Sequence, residues 1–260
     1  MNRLSHAFEN RSRELLMTFT VAGDPDYETS IAIIRALEKG GADIIELGLP
    51  FSDPVADGPV VQQADQRALE TGMNTDRFFD LVRDVRSQSD IPLVVLTYTN
   101  LILQRDIGIF YQDAANAGID AVAIADLPYE EAGPYIVAAE KAGVLPVMMV
   151  STTTSPERLS QILTVKSGFI YLVAALGVTG MRHETDPEAM RLLTYLKAHT
   201  TIPIAPGFGI SDQKQVKNWA DTGADAVIVG SALIKQIEKR SANPDELVQA
   251  IIEFIHSLKR

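Results

Sequence analysis

The chain contains no cysteine among its 260 residues. That rules out a disulfide framework, a thiolate metal site and a cysteine nucleophile. Histidine is scarce as well: His6, His183, His199 and His256 are scattered, with no pair at metal-ligand spacing, so no metal is expected. Basic side chains are outnumbered, 23 Lys and Arg against 34 Asp and Glu, leaving a formal charge of −11. Such a balance gives no footprint for nucleic acid or an anionic membrane. No apolar run approaches the ~18 residues of a membrane helix, and the start, Met1–Glu14, is polar and mixed in charge, unlike an export signal. A soluble, cytoplasmic protein is expected.

What is present is a large apolar fraction, 46%, arranged in short runs. The runs are Leu15–Val21, Ala42–Leu49, Pro92–Tyr98, Ile119–Ala125, Val144–Val150, Phe169–Ala174, Ile202–Ala205 and Ala224–Val229. Rich in Val, Ile and Leu, they read as strands buried on both faces. Between them lie helical stripes such as Ile31, Ile34 and Leu37, Leu192, Leu193 and Leu196, and Val248, Ile251, Ile252 and Ile255. Strand alternating with helix about eight times predicts an α/β fold, a (β/α)8 TIM barrel. No linker or low-complexity tract divides the chain, so residues 1–260 are expected to form a single domain. A repeated phrase agrees with the count: Gly41-Ala42-Asp43-Ile44, Gly118-Ile119-Asp120-Ala121 and Gly223-Ala224-Asp225-Ala226, with Gly143-Val144 a looser copy. Each glycine is placed to end a helix in the left-handed conformation, just before a strand.

In such a barrel, chemistry sits at the C-terminal ends of the strands. Strands seven and eight run into Gly207-Phe208-Gly209-Ile210-Ser211 and Gly230-Ser231-Ala232. Loops at these two positions, opening helices, commonly hold phosphate, because backbone N–H groups can approach its oxygens where no Cβ intervenes. Strand alternation puts Glu46, near the end of strand two, on the face of Ile44. A carboxylate unpaired in that apolar mouth is raised in pKa and suited to general acid/base work; pairing with an arginine or backbone group is the alternative. Taken alone, Asp57 reads as a turn residue, Asp126 as a helix cap and Tyr171 as core. No lysine occupies the C-terminal end of a strand, which argues against a Schiff-base aldolase. No Walker loop is present, so phosphate is expected as a handle on the substrate.

The block Glu46-Leu47-Gly48-Leu49-Pro50-Phe51-Ser52-Asp53-Pro54-Val55-Ala56-Asp57-Gly58-Pro59 resembles the signature of the tryptophan synthase alpha subunit family. Thr20-Val21-Ala22-Gly23-Asp24-Pro25, Ala125-Asp126-Leu127-Pro128, Gly177-Val178-Thr179-Gly180, Gly207-Phe208-Gly209-Ile210 and Val229-Gly230-Ser231-Ala232 follow in family order. The resemblance implies a lyase of tryptophan biosynthesis that cleaves indole-3-glycerol phosphate into indole and glyceraldehyde 3-phosphate, without a cofactor. It further implies that indole passes to a beta subunit within an alpha2beta2 heterotetramer. By the same resemblance Glu46 is the acid/base, Asp57 binds the indole N–H and steadies charge on the ring, and Tyr171 helps orient Glu46. Gly180, Gly209, Gly230 and Ser231 are the phosphate contacts, with Phe208 beside them. Phe19 packs on indole, and Thr179 lies on a loop that closes over substrate. Where the family usually carries a serine just before that loop's Gly-Val-Thr-Gly, this chain has Ala174-Ala175-Leu176. A free-standing lyase and a catalytically degenerate partner-activating subunit remain the alternatives. The exposed apolar trio Leu101-Ile102-Leu103, in an expected loop, hints at a docking surface.

Overall fold

The computed structural model describes residues 2–174, 186–207, 209–241 and 243–259. Eight parallel strands form one sheet: β1 (Leu15–Val21), β2 (Ile44–Gly48), β3 (Leu93–Thr97), β4 (Ala121–Ile124), β5 (Leu145–Ser151), β6 (Ile170–Val173), β7 (Ile204–Gly207) and β8 (Ala226–Val229). They pair in the order β7-β6-β5-β4-β3-β2-β1-β8. The ends of that order meet at the base, where the Asp225 N–H donates to the Ile204 carbonyl at 2.9 Å and the Ile204 N–H to the Asp225 carboxylate at 2.7 Å. The sheet is therefore rolled into the expected (β/α)8 barrel. The helices surround it: α1 (Arg3–Glu9), α2 (Tyr27–Lys39), α3 (Pro59–Glu70), α4 (Thr75–Arg86), α5 (Thr99–Arg105), α6 (Ile107–Ala117), α7 (Gly133–Ala142), α8 (Pro156–Ile162), α9 (Pro187–His199), α10 (Gln213–Asp221), α11 (Ser231–Arg240) and α12 (Pro244–Lys259). None of the described helices is long and apolar enough to cross a membrane.

Each strand run in the sequence falls on an observed strand. The expected seventh strand is displaced by two residues, however, because Ile202 and Pro203 precede the ladder and Ala205-Pro206-Gly207 continue it against Tyr171, Leu172 and Val173. Gly207 therefore belongs to the strand, not to the loop. The stripes behave as helical faces. Ile31, Ile34 and Leu37 are buried on α2, Leu193 and Leu196 on α9, and Ile251, Ile252 and Ile255 on α12.

The repeated glycines take left-handed backbone, with φ of 94° at Gly41, 94° at Gly118, 74° at Gly143 and 100° at Gly223. The aspartate of each full repeat has a role that spacing did not reveal. Asp43, Asp120 and Asp225 each accept a hydrogen bond from an N–H at the start of a neighbouring strand, at Leu16 (second in β1), Leu93 and Ile204. In each case the aspartate's own N–H donates back to the carbonyl of that same residue. The carboxylate thus extends the ladder by one bond at the barrel floor. Each also holds two cations: Arg13 and Lys259 on Asp43, Arg3 and Arg86 on Asp120, Arg11 and Lys197 on Asp225. Three of those arginines lie in the first thirteen residues. They fasten α1 across the floor, where Leu4 and Phe8 are buried and Phe8 meets Phe169 with ring centroids 6.1 Å apart. The polar look of Met1–Glu14 concealed this plug, because its two large buried residues, Leu4 and Phe8, stand one helical turn apart.

Candidate active site

Register identifies the residues that share the barrel's inner face. Glu46 pairs with Phe19 on one side and Val94 on the other, and Tyr171 pairs with Met149 and Ala205. Strands β2 and β6 lie across the barrel from each other, yet the Tyr171 hydroxyl feels the charge of Glu46. Both side chains therefore point inward. Phe169, just before β6, and Tyr171 on it meet at a tilt with centroids 6.3 Å apart, so aromatic rings run from the floor plug toward the mouth. Alternation adds Leu96 and Met149, each half-buried on a strand otherwise buried at its centre, as apolar walls of that mouth.

Glu46 is wholly buried, and neither carboxylate oxygen has a hydrogen-bond partner among the described residues. The alternative of a capped or arginine-paired glutamate is thereby removed. Burial, reinforced by the nearby charge of Asp57, pushes its pKa from 4.5 up to about 8. A carboxyl so placed keeps its proton at neutral pH and can both give and take one. No hydrogen bond joins Tyr171 to Glu46 here. The phenol lies instead over Gly207, where a Cβ would come within 2.7 Å of its oxygen.

Asp57 is carried on the loop between β2 and α3. The loop is shaped by its own backbone: Asp57 N–H donates to the Pro54 carbonyl at 3.0 Å, and the Gln62 side-chain amide to the Asp57 carbonyl at 2.8 Å. Its carboxylate accepts a 2.6 Å hydrogen bond from the hydroxyl of Tyr98, which follows β3. Burial raises the Asp57 pKa and that hydrogen bond pulls it back down. Behind the loop, Asp65 on the inner face of α3 is a second buried carboxyl, raised to about 8 by burial and by the charge of Asp57. Sequence reasoning missed Tyr98 and Asp65. The helical spacing of Val61, Ala64, Asp65 and Ala68 put Asp65 on a buried stripe and was the available signal; Tyr98 offered none.

Beside Glu46 on the neighbouring strand, Phe19 fits between two glycines. A Cβ at Gly48 or at Gly230 would come within 3.0 Å of its ring. Gly230 then opens α11 without a side-chain cap. The first two helical N–H groups, of Ser231 and Ala232, find no acceptor among the described residues, so they form a positive helix terminus facing the mouth. Gly209 adopts φ 74° just beyond β7. The structure thus brings Phe19, Glu46, Asp57, Tyr171, Gly230 and Ser231 to one end of the barrel, with Gly209 on its rim. Thr179, Gly180 and Phe208 lie outside the described residues.

Two other expectations change. Leu101-Ile102-Leu103 does not form a loop but begins α5: Ile102 is fully buried, Leu101 packs on the core, and only Leu103 is exposed, at 56%. Asp126 is a cap, although not for the residues that follow it. Its carboxylate accepts the Thr99 N–H and hydroxyl, both at 2.8 Å, and so fixes the start of α5 from the neighbouring strand end.

Fold and mouth together define a (β/α)8-barrel enzyme, with buried carboxyls on one rim and an open helix terminus on another. The family model for the tryptophan synthase alpha chain matches residues 6–260. The tryptophan synthase alpha chain of Methanoregula boonei is 46% identical over 260 residues, covering 100% of this chain and 98% of the relative. Among solved structures, tryptophan synthase subunit alpha from Legionella pneumophila superposes with a TM-score of 0.91 at 34% identity, covering 100% of this chain and 97% of that one. A Pyrococcus furiosus chain from a structure of the tryptophan synthase a2b2 complex has a TM-score of 0.88 at 34% identity, covering 95% and 98%. The chain belongs to the tryptophan synthase alpha chain family, a family of lyases.

Proposed function

We propose that this barrel cleaves indole-3-glycerol phosphate to indole and glyceraldehyde 3-phosphate, and that it works in the cytoplasm beside a beta subunit. The observation that carries the reading is the fully buried Glu46, without a hydrogen-bond partner among the described residues, within reach of the charge of Asp57. A retro-aldol cleavage needs an electron sink, and the indole ring itself can supply one. Glu46, protonated at rest, gives its proton to indole C3, which makes the ring a cationic imine. The resulting carboxylate then removes the proton of the hydroxyl on the adjacent glyceryl carbon. That carbon becomes the aldehyde as its bond to C3 breaks, and the electron pair returns to the ring. Asp57 accepts the indole N–H and balances the positive charge while it exists. Phe19, Leu96 and Met149 offer apolar contact to the ring, and Tyr171 faces Glu46 from across the mouth. Gly209, Gly230 and the Ser231 amide receive the phosphate, with Thr179, Gly180 and Phe208 assigned to the same ligand by family likeness. The direct test is indole release from indole-3-glycerol phosphate by the purified chain; no release with or without a beta subunit rejects the reading.

The phosphate assignment is tested separately. Gly230→Asp sets a carboxylate at the α11 terminus and pushes on the Phe19 ring. Binding of glycerol phosphate should weaken by roughly tenfold or more while the barrel stays folded. Inhibition by glycerol phosphate equal to that of the unaltered protein moves the site elsewhere.

The beta subunit is proposed to dock on the loop and helices that follow β2 and β3. Val55 on the Asp57 loop is 79% exposed, and Leu103 on α5 and Ile109 on α6 are 56% and 55% exposed. A groove of about 740 Å³ separates that loop from α3, giving a partner purchase on the segment that carries Asp57. Docking there would favour the assembled site over other loop arrangements. Added beta subunit should raise cleavage roughly tenfold or more, and Leu103→Asp should blunt that rise while sparing the rate of the isolated chain. Equal rates with and without the partner select the free-standing lyase.

A further inference from the structure

We propose that Tyr98 is the positioning residue of the Asp57 loop: it ties one carboxylate oxygen with its hydroxyl and the loop with its ring, and so aims the other oxygen at substrate. Three contacts carry this. The Tyr98 hydroxyl donates to Asp57 Oδ2 at 2.6 Å. The same oxygen accepts the N–H of Ala56, the residue just before, at 3.2 Å. The ring lies against Phe51, near the start of the loop, with centroids 5.2 Å apart. Both ends of the segment from Phe51 to Asp57 thus rest on one buried side chain, rooted at the end of β3 and at the start of α5.

The donation has a direction. An ionised carboxylate can only accept, so the hydroxyl hydrogen goes to Oδ2 while the hydroxyl oxygen accepts from Ala56; Oδ1, without a partner among the described residues, is left for an incoming N–H donor. The ionisable groups whose fields couple to Asp57 are Glu46 from β2, Asp65 from α3 and the Tyr171 phenol from β6, besides Tyr98 itself. Ionised Glu46 or Asp65 repels a charge on Asp57, and burial disfavours it. Only the Tyr98 hydrogen bond works the other way among these. Burial leaves the Asp57 pKa raised on balance, and the Tyr98 hydrogen bond opposes that rise and so favours the ionised form that the proposed reaction needs beside a protonated Glu46. This inference rests on the cleavage reading above.

The test uses the full chain with its beta subunit. Tyr98→Phe keeps the ring and removes the donor. The acid limb of kcat should move to higher pH by about one unit, with kcat at neutral pH falling about tenfold and KM much less. Fluorotyrosine placed at position 98 alone is a stronger donor and should move the limb the opposite way. Carbon-13 NMR of the labelled Asp57 carboxyl follows the same titration without turnover. An unmoved limb and an unmoved Asp57 titration in both variants overturn the proposal, even if activity falls. If the unaltered protein releases no indole but Asp57 still titrates differently in Tyr98→Phe, the cleavage reading fails and the positioning role stands.

Discussion

Replacing Glu46 by Gln should lower cleavage of indole-3-glycerol phosphate by several orders of magnitude while leaving glycerol phosphate binding intact. An amide cannot exchange protons, and each transfer assigned to a positioned acid or base is worth ~10²–10⁴-fold. Two transfers are assigned to this one residue. Retention of a tenth of the activity would end its candidacy. The unaltered enzyme should also lose activity as pH rises through about 8, where Glu46 gives up its resting proton.

Stability should respond to the same substitution with a definite sign. In the unfolded chain Glu46 ionises near the ordinary glutamate value, whereas in the fold it holds its proton up to about 8. Rising pH between those values favours the unfolded state alone. The stability of Glu46→Gln relative to the unaltered protein should therefore grow by roughly 3 kcal/mol from pH 4.5 to pH 7, whatever fixed cost the buried amide adds. Denaturant unfolding at several pH values measures this, and a difference independent of pH would show that Glu46 is ionised in the fold. A carboxyl placed for chemistry thus costs the barrel stability at the pH where it works.

Asp57→Asn should reduce turnover by ~10²–10³-fold, with a smaller loss in binding an unreactive indole phosphate. The geometry sharpens the reason. The Tyr98 hydroxyl donates to position 57 while its oxygen accepts the Ala56 N–H. The asparagine carbonyl would satisfy it and turn the amide NH2 toward the indole N–H, setting donor against donor. Turning the amide round would restore the indole contact and strand Tyr98. Neither arrangement supplies negative charge to the cationic ring. Equal losses in binding and turnover would make Asp57 a residue that shapes the loop or holds substrate and nothing more.

The strands, their number and their winding were legible in the chain because a strand buried on both faces writes a continuous apolar run, and a helix ended by glycine writes its own stop. Glu46 was legible for the same local reason: a charged residue inside such a run, on the inward alternation, has few explanations. Gly209, Gly230 and Ser231 could be placed at strand ends because barrel winding fixes which ends reach the mouth. The sequence could not show that Glu46 is without a partner among the described residues, since that depends on the residues around the mouth. Nor could it show why the repeated phrase carries aspartate, because each carboxylate bonds a strand start that lies 21 to 27 residues earlier in the chain. Tyr98 sits 41 residues from Asp57, and Gly230 meets Phe19 only because β8 closes against β1. Periodicity reports the face that one element turns inward; it carries no information about which element stands opposite. That choice belongs to the register and closure of the barrel. Closure decided which polar groups are satisfied, and hence which carboxyl at the mouth was left to hold a proton.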